Sequence, residues 1–207
     1  IDPATGLMCV SALSRKLEWA DREGCLPKVV ISVHLAGASC DMASISALAE
    51  RYGFIIVEDA SHAIGGSYQN KPVGNCLYSS ICVFSFHPVK IITTGEGGIA
   101  TTNNSVLAQR MIDLRSHGII KDSSRFKLRE AGSWSYEQQQ LGFNYRMTDI
   151  QAALGVSQLK RLDEIVKERN SLLNRYQKLL NPLPLRLLLV PEEVVSSVHL
   201  AVVRLDD

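Results

Sequence analysis

The 207 residues include 46% hydrophobic and 21% charged side chains, proportions that suit a folded globular chain with one sizeable core and exclude a disordered or fibrous one. With 22 basic against 21 acidic residues, a formal charge of +1 gives no electrostatic reason to expect general binding to nucleic acid or to an anionic membrane. The five cysteines, Cys9, Cys25, Cys40, Cys76 and Cys82, are odd in number and lack Cys-x-x-Cys or metal-type spacing, so reduced, packed thiols and no metal are expected. No basic stretch followed by an apolar run opens the chain, and no apolar segment approaches the roughly 20 residues needed to span a bilayer; a cytoplasmic location is the default expectation.

In chain order, residues 29–34 form a short β-branched apolar run. Ser39 or Asp41 can then cap a helix in which Met42, Ile45, Leu48 and Tyr52 recur at helical spacing, with Gly53 as its stop. Residues 54–57 follow as a second apolar run, completing a strand, helix, strand unit. Its crossover makes the two strands parallel, and helices on both faces of the sheet would explain strands that are apolar throughout. Residues 80–86 and 98–102 predict two more strands around the Gly-rich turn Thr94-Gly95-Glu96-Gly97-Gly98. A helix over 105–116 buries Leu107, Met111, Ile112 and Leu114, with Asn104 or Ser105 as its cap. Residues 119–141 show no clear period and exceed the roughly 12 to 15 residues usual for a structureless loop, so a functional lid or mobile flap is predicted. Thr148-x-x-Gln151 is a capping box that opens a long helical tract reaching Leu180, stopped by Pro182 and Pro184. Residues 194–205 read as the first strand of another unit, with no partner evident, and the chain reads as cut at both ends.

Three stretches carry chemistry: Glu58-Asp59-Ala60-Ser61-His62-Ala63, Ser85-Phe86-His87-Pro88-Val89-Lys90 and Gly142-Phe143-Asn144-Tyr145-Arg146-Met147-Thr148-Asp149. The first two lie at or just past predicted strand ends, and in parallel sheets ligands bind outside the carboxyl ends of the strands. Each residue alone has an ordinary explanation. Asp59 could be a turn or helix cap, Lys90 a solvated cation, His62 a hydrogen-bonded structural histidine and Ser85 a hydroxyl satisfied by backbone.

Together the stretches resemble the DegT/DnrJ/EryC1/StrS aminotransferases, sugar-modifying members of the fold-type I pyridoxal-phosphate enzymes. The resemblance runs from about residue 29 to 180. It includes Glu58 to His62, Phe84-Ser85-Phe86-His87 through Lys90, Thr94 to Gly98, Arg115-Ser116-His117-Gly118 and Asn144-Tyr145-Arg146-Met147. His87, Tyr68-Gln69-Asn70 and Leu141 to Arg146 look closest to the members that aminate C4 of a UDP-linked 4-keto-6-deoxy sugar in pseudaminic acid biosynthesis.

The resemblance implies a fold and a set of roles. The fold is a truncated three-layer α/β/α sandwich with a mainly parallel sheet, residues 1–185 forming the cofactor-binding large domain and 186–207 beginning a small one. Lys90 matches the lysine that holds pyridoxal 5'-phosphate covalently through its amine and later moves a proton; a buried amine of lowered pKa would suit that work. Asp59 matches the carboxylate under the pyridine nitrogen, whose charge keeps that nitrogen protonated. Ser85 matches a hydroxyl on the cofactor phosphate, and His62 a side chain near the ring's phenolic oxygen. Asn144 matches an amide reaching the phosphate of the neighbouring subunit, which implies a homodimer with shared sites. For His87 a structural and a substrate-facing role both stand. The Gly95, Gly97 and Gly98 turn either brings backbone close to the lysine loop or is a plain hairpin-like turn.

The implied reaction moves an amino group from glutamate to a nucleotide-linked keto sugar, with neither nucleic acid nor membrane as partner. Two alternatives stand beside it: a sugar dehydratase on the same scaffold, whose relatives carry His in place of the lysine, and an inactive or regulatory remnant. The family's amino-terminal Gly-Thr turn and its small domain have no counterpart here, so weak or absent catalysis is expected of these residues alone.

Overall fold

The computed structural model describes residues 1–128, 132 and 134–205. Its first helix, α1 (Val10–Arg22), is not among the elements predicted above. No side chain caps it at Cys9, yet Val10, Leu13, Leu17 and Ala20 lie on one stripe, and Leu17 is almost fully buried. β1 (Val29–Val33), α2 (Met42–Tyr52) and β2 (Ile55–Asp59) are the predicted strand, helix, strand unit. Asp41, rather than Ser39, caps α2. Its Oδ1 accepts from the Ser44 amide at 3.1 Å and from the Tyr68 hydroxyl at 2.8 Å.

A hairpin follows, β3 (Ser67–Tyr68) and β4 (Lys71–Pro72), turning at Gln69 and Asn70, both at positive φ as a tight two-residue hairpin turn requires. β5 (Ile81–Ser85) and β6 (Gly98–Thr101) complete the main sheet in the order β1-β2-β5-β6. β1, β2 and β5 are mutually parallel, and β6 runs antiparallel at the edge. This is the expected α/β arrangement around a mainly parallel sheet.

Exposure alternates along these strands instead of being uniformly low. Val30, Ser32, Ile56, Glu58, Cys82 and Phe84 point inward, whereas Val29, Ile31, Val33, Ile55 and Val83 are exposed on the other face. The reason lies in the cover. Leu17 of α1 and Met42 and Ile45 of α2 pack with Val30 and Ile56 in one cluster, and a second holds Cys82, Phe84, Ile91 and Ile92. Among the described residues the opposite face has no comparable layer. Along edge strand β6 a cleft of about 820 Å³ separates Ile99 and Thr101 from Met111 and Ile112 of α3 (Ser105–Arg115).

Asn104 caps α3, accepting from the Val106 and Leu107 amides. The predicted capping box forms at Thr148 and Gln151, but the long tract it opens is two helices, α4 (Asp149–Leu159) and α5 (Leu162–Leu180), broken at residues 160–161. Residues 119–141 are stitched down over much of their length. β7 (Ile119–Ile120) pairs with β8 (Glu137–Gln138), a 3-10 turn spans Ser123–Arg125, and the Arg125 guanidinium grips both carboxylate oxygens of buried Asp113. Residues 129–131 and 133, in the middle of the expected flap, lie outside the described residues.

Residues 194–205 do find partners within the chain, contrary to expectation. They form two short strands: β10 (Val194–Val195) joins β3, and β11 (Val203–Leu205) pairs with β9 (Leu185–Leu187). The polar Ser196-Ser197 step breaks the apolar run between them, so one strand becomes two.

Truncating Arg125 would strand a buried carboxylate. Arg125→Ala is expected to lower the urea midpoint and to speed proteolytic cleavage within 119–141. Urea melts and limited proteolysis check both, and an unchanged midpoint with unchanged cleavage would show that the pair does not hold the segment.

Candidate active site

The site is assembled from loops that leave the carboxyl ends of β1, β2 and β5. Parallel pairing sets Asp59 opposite Val33 on one side and Val83 on the other. Since side chains alternate, Asp59, the last residue of β2, and Ser85, the last of β5, share the less covered face, and both are half-buried. Asp59 Oδ1 accepts from the Ser61 amide at 3.1 Å and the Ser61 hydroxyl at 2.5 Å, the local turn its ordinary reading predicts. Oδ2 has no hydrogen bond among the described residues. Ser85 Oγ accepts from the His87 amide at 3.4 Å.

On the covered face, immediately before Asp59, Glu58 is buried in a polar cluster. His34 Nε2 lies 2.7 Å from its carboxylate, and the Ser79 hydroxyl donates to the other oxygen in a short bond. The Cys40 amide donates to His34 Nδ1, so the ring hydrogen is on Nε2 and points at Glu58. This fastens the end of β2 without using Asp59.

Lys90 sits in a closed loop. The Phe86 amide donates to the Gly97 carbonyl at 2.8 Å, the Thr94 amide to the Phe86 carbonyl at 3.1 Å and the Lys90 amide to the His87 carbonyl at 2.9 Å. Ile91 and Ile92, 5% and 1% exposed, sink into the core directly after it, so Lys90 is half-buried at the core's edge. It makes no ion pair among the described residues. A Cβ at Gly97 would collide with Thr94 Oγ1 of the same turn, and the Gly97 carbonyl takes the Phe86 amide, so the turn closes on the start of the lysine loop and links it to β6. His87 is tied into the same loop, its Nδ1 accepting from the Val89 amide at 3.3 Å and its Nε2 3.9 Å from Glu96.

His62 Nδ1 accepts from the Ala36 amide at 3.3 Å, which places the ring hydrogen on Nε2. Burial, followed by the Lys90 ammonium, pushes its pKa below the ordinary imidazole value, and the Asp59 carboxylate opposes them. A second imidazole, His199, was not singled out from sequence. It sits 4.4 Å from His62 between ring centroids, and burial, His62, Lys90 and Arg169 together take its pKa down to about 4. A histidine after Ser196-Ser197 inside an apolar run was the available signal. Asn144 is exposed and not joined to the other four predicted residues by any hydrogen bond or ion pair among the described residues. It bridges to Ser116, and the Tyr145 amide donates to the Arg115 carbonyl, so Arg115 to Gly118 and Phe143 to Tyr145 run side by side.

An aspartate, a histidine, a serine and a lysine at or just past the carboxyl ends of parallel strands fit the family resemblance, and comparison with known proteins decides the family. The profile of the DegT/DnrJ/EryC1/StrS aminotransferase family matches residues 1–207. The chain belongs to that family. A UDP-4-amino-4,6-dideoxy-N-acetyl-beta-L-altrosamine transaminase of Campylobacter jejuni is 41% identical over 146 residues, 70% of this chain and 36% of that protein. Helicobacter pylori PseC, an aminotransferase involved in the biosynthesis of pseudoaminic acid, superposes with a TM-score of 0.82 at 32% identity, covering 97% of this chain and 50% of PseC. Spr1654 of Streptococcus pneumoniae, described as a sugar aminotransferase and solved in its PLP form, gives 0.77 at 29% identity over 99% of this chain and 53% of its own. The chain thus spans about half the length of its solved relatives or less of its curated one.

Membership makes this a transferase-type enzyme fold whose cofactor is pyridoxal 5'-phosphate. The residues present suit that group: among the described residues, a carboxylate oxygen without a hydrogen bond, an amine without an ion pair, and a hydroxyl at a strand end. Among the described residues no helix is long and apolar enough to cross a membrane.

The depressed pKa of His199 has a signed consequence. Above about pH 6.5 the ring is neutral in both the folded and unfolded chain and its contribution is fully present; as pH falls toward 4 the unfolded chain binds a proton that the folded one refuses, and stability is lost. His199→Gln should flatten the fall in unfolding free energy from urea melts between pH 7 and 4 by on the order of 1 kcal/mol, after allowing for screening of a half-exposed ring. Superimposable pH profiles for the two proteins would show that His199 titrates normally.

Proposed function

We propose that this chain is the central part of an aminotransferase that moves an amino group from glutamate to C4 of a UDP-linked 4-keto-6-deoxy-N-acetylhexosamine. Residues 1–185 form its cofactor-binding large domain and 186–207 the start of a smaller one. The observation that carries the reading is the placement of Asp59 and Ser85 at the carboxyl ends of parallel strands β2 and β5, with Lys90 in the closed loop that follows β5. The sugar assignment is supported by the names of the Campylobacter and Helicobacter relatives.

Pyridoxal phosphate, when bound, supplies an electron-accepting ring that stabilises negative charge at the carbon losing its proton. Asp59 Oδ2, without a hydrogen bond among the described residues, would hold a proton on the ring nitrogen, Ser85 Oγ would donate to the phosphate, and His62 Nε2 would donate to the phenolic oxygen. Lys90 Nζ would hold the cofactor through its aldehyde and, when freed by the amino substrate, would move the proton at the reacting carbon. Asn144 reaches the phosphate in the neighbouring subunit of a homodimer, which its exposure permits. The enzyme works in the cytoplasm. A dehydratase reading is disfavoured by Lys90, since the dehydratases it resembles carry His at that position.

Two experiments test this. Pyridoxal phosphate added to the protein should give a visible absorption band that Lys90→Ala abolishes and glutamate bleaches; a band unchanged by glutamate would favour a scaffold that has lost turnover. In the full-length gene product, assayed for product with a panel of UDP- and dTDP-linked keto sugars, Lys90→Ala should slow amination by roughly 100- to 10,000-fold. Faster turnover of a dTDP-linked or 3-keto sugar would overturn the substrate assignment.

A further inference from the structure

The backbone that delivers His199 is held more firmly than packing alone requires. Val198, a buried β-branched residue, has a φ of +52°, a conformation such side chains avoid. Neighbours on every side fix it there. The Val198 amide donates to Ser196 Oγ at 3.0 Å, Arg169 from α5 donates to the Val198 carbonyl at 3.0 Å, and Asn170 donates to the Ser196 carbonyl at 2.8 Å. Ser197 Oγ donates to the His62 carbonyl at 2.9 Å, and the Ser197 amide to the Gly37 carbonyl at 3.1 Å. Gly37 must lack a side chain, because a Cβ there would lie 2.8 Å from both Ser197 Oγ and the Val198 amide. Strain that the surroundings over-determine points to a side chain whose placement matters.

That side chain is a second imidazole against His62, and one loop residue serves both rings. The Ala36 amide donates to His62 Nδ1, and the Ala36 carbonyl accepts from the His199 amide at 2.8 Å. His199 Nδ1 is buried without a hydrogen-bond partner among the described residues. A lone pair is cheaper to leave unmet than an N–H, so the hydrogen lies on Nε2. The charged groups facing the pair are Lys90 and Asp59 beside His62, and Arg169 from α5 beside His199. Two cations against one carboxylate, together with burial, oppose a charge on either ring.

We propose that His199 is a positioning residue of this site: its ring backs His62 and keeps that imidazole an uncharged donor through Nε2. The donor's target, the phenolic oxygen of the cofactor, rests on the proposed function; the coupling of the two rings does not.

Carbon-13 histidine labelling resolves the five histidines of the chain, and His62 is assigned from a His62→Gln variant. In His199→Ala the titration of His62 should move up by about half a pH unit or more, because its apolar cover is gone, while His199→Phe keeps the cover and the low titration. His199→Gln, which fills most of the volume but not the ring face, should move it up likewise and serves if the alanine variant does not fold. Pyridoxal phosphate affinity, read from the visible band, should fall about fivefold in the alanine or glutamine variant and stay within about twofold in the phenylalanine variant. A His62 titration that is the same in all variants would overturn the inference, as would a phenylalanine variant that behaves like the alanine one. If no cofactor band forms in any protein while His62 still responds, the proposed function fails and the coupling stands. If the band forms and His62 does not respond, only the coupling fails.

Discussion

The register between β1, β2 and β5 is the constraint on which the rest of the site depends. Val33, Asp59 and Val83 lie side by side across three parallel strands, so the loops that carry His62 and Lys90 leave from the same edge. Side chains alternate with period two, so this register puts Asp59 and Ser85 on one face and Glu58 on the other. A slip of one residue would exchange those faces, turning the carboxylate at 59 into the core and Glu58 outward. The buried cluster of Glu58, His34 and Ser79 works against such a slip, since moving Glu58 would leave both partners unmatched.

From that edge, each functional side chain is fixed by something other than itself. Lys90 is held by the hydrogen-bonded closure of its loop and by the two isoleucines that follow it into the core. His62 is held by a backbone amide on one side and by His199 on another. His199 in turn comes from a distant stretch of the chain, kept in a strained conformation by α5 and by the loop after β1. Placement on strand ends and pinned loops holds side chains more precisely than free loops can, and errors of about 1 Å in a catalytic group cost large factors in rate.

The electrostatics follow from the same placement. The Lys90 ammonium and the Asp59 carboxylate act in opposite directions on His62, and Arg169 adds a second cation beside His199. Elsewhere the chain uses charge structurally, as where Arg125 binds Asp113 and ties down residues that carry no regular pattern.

The amino-acid sequence alone determined the strand, helix, strand unit, the caps at Asn104 and Thr148 and the positions of Asp59, His62, Ser85 and Lys90 at strand ends. These depend on local periodicity, on capping chemistry and on residue order, all of which a linear string carries. Tertiary structure decided what depends on contacts between distant residues: which face of each strand is covered, that residues 194–205 split to join β3 and β9, and that His199 lies against His62 across 137 positions of chain. An imidazole's neighbours and charge state are set by packing, and no periodicity within its own segment reports them.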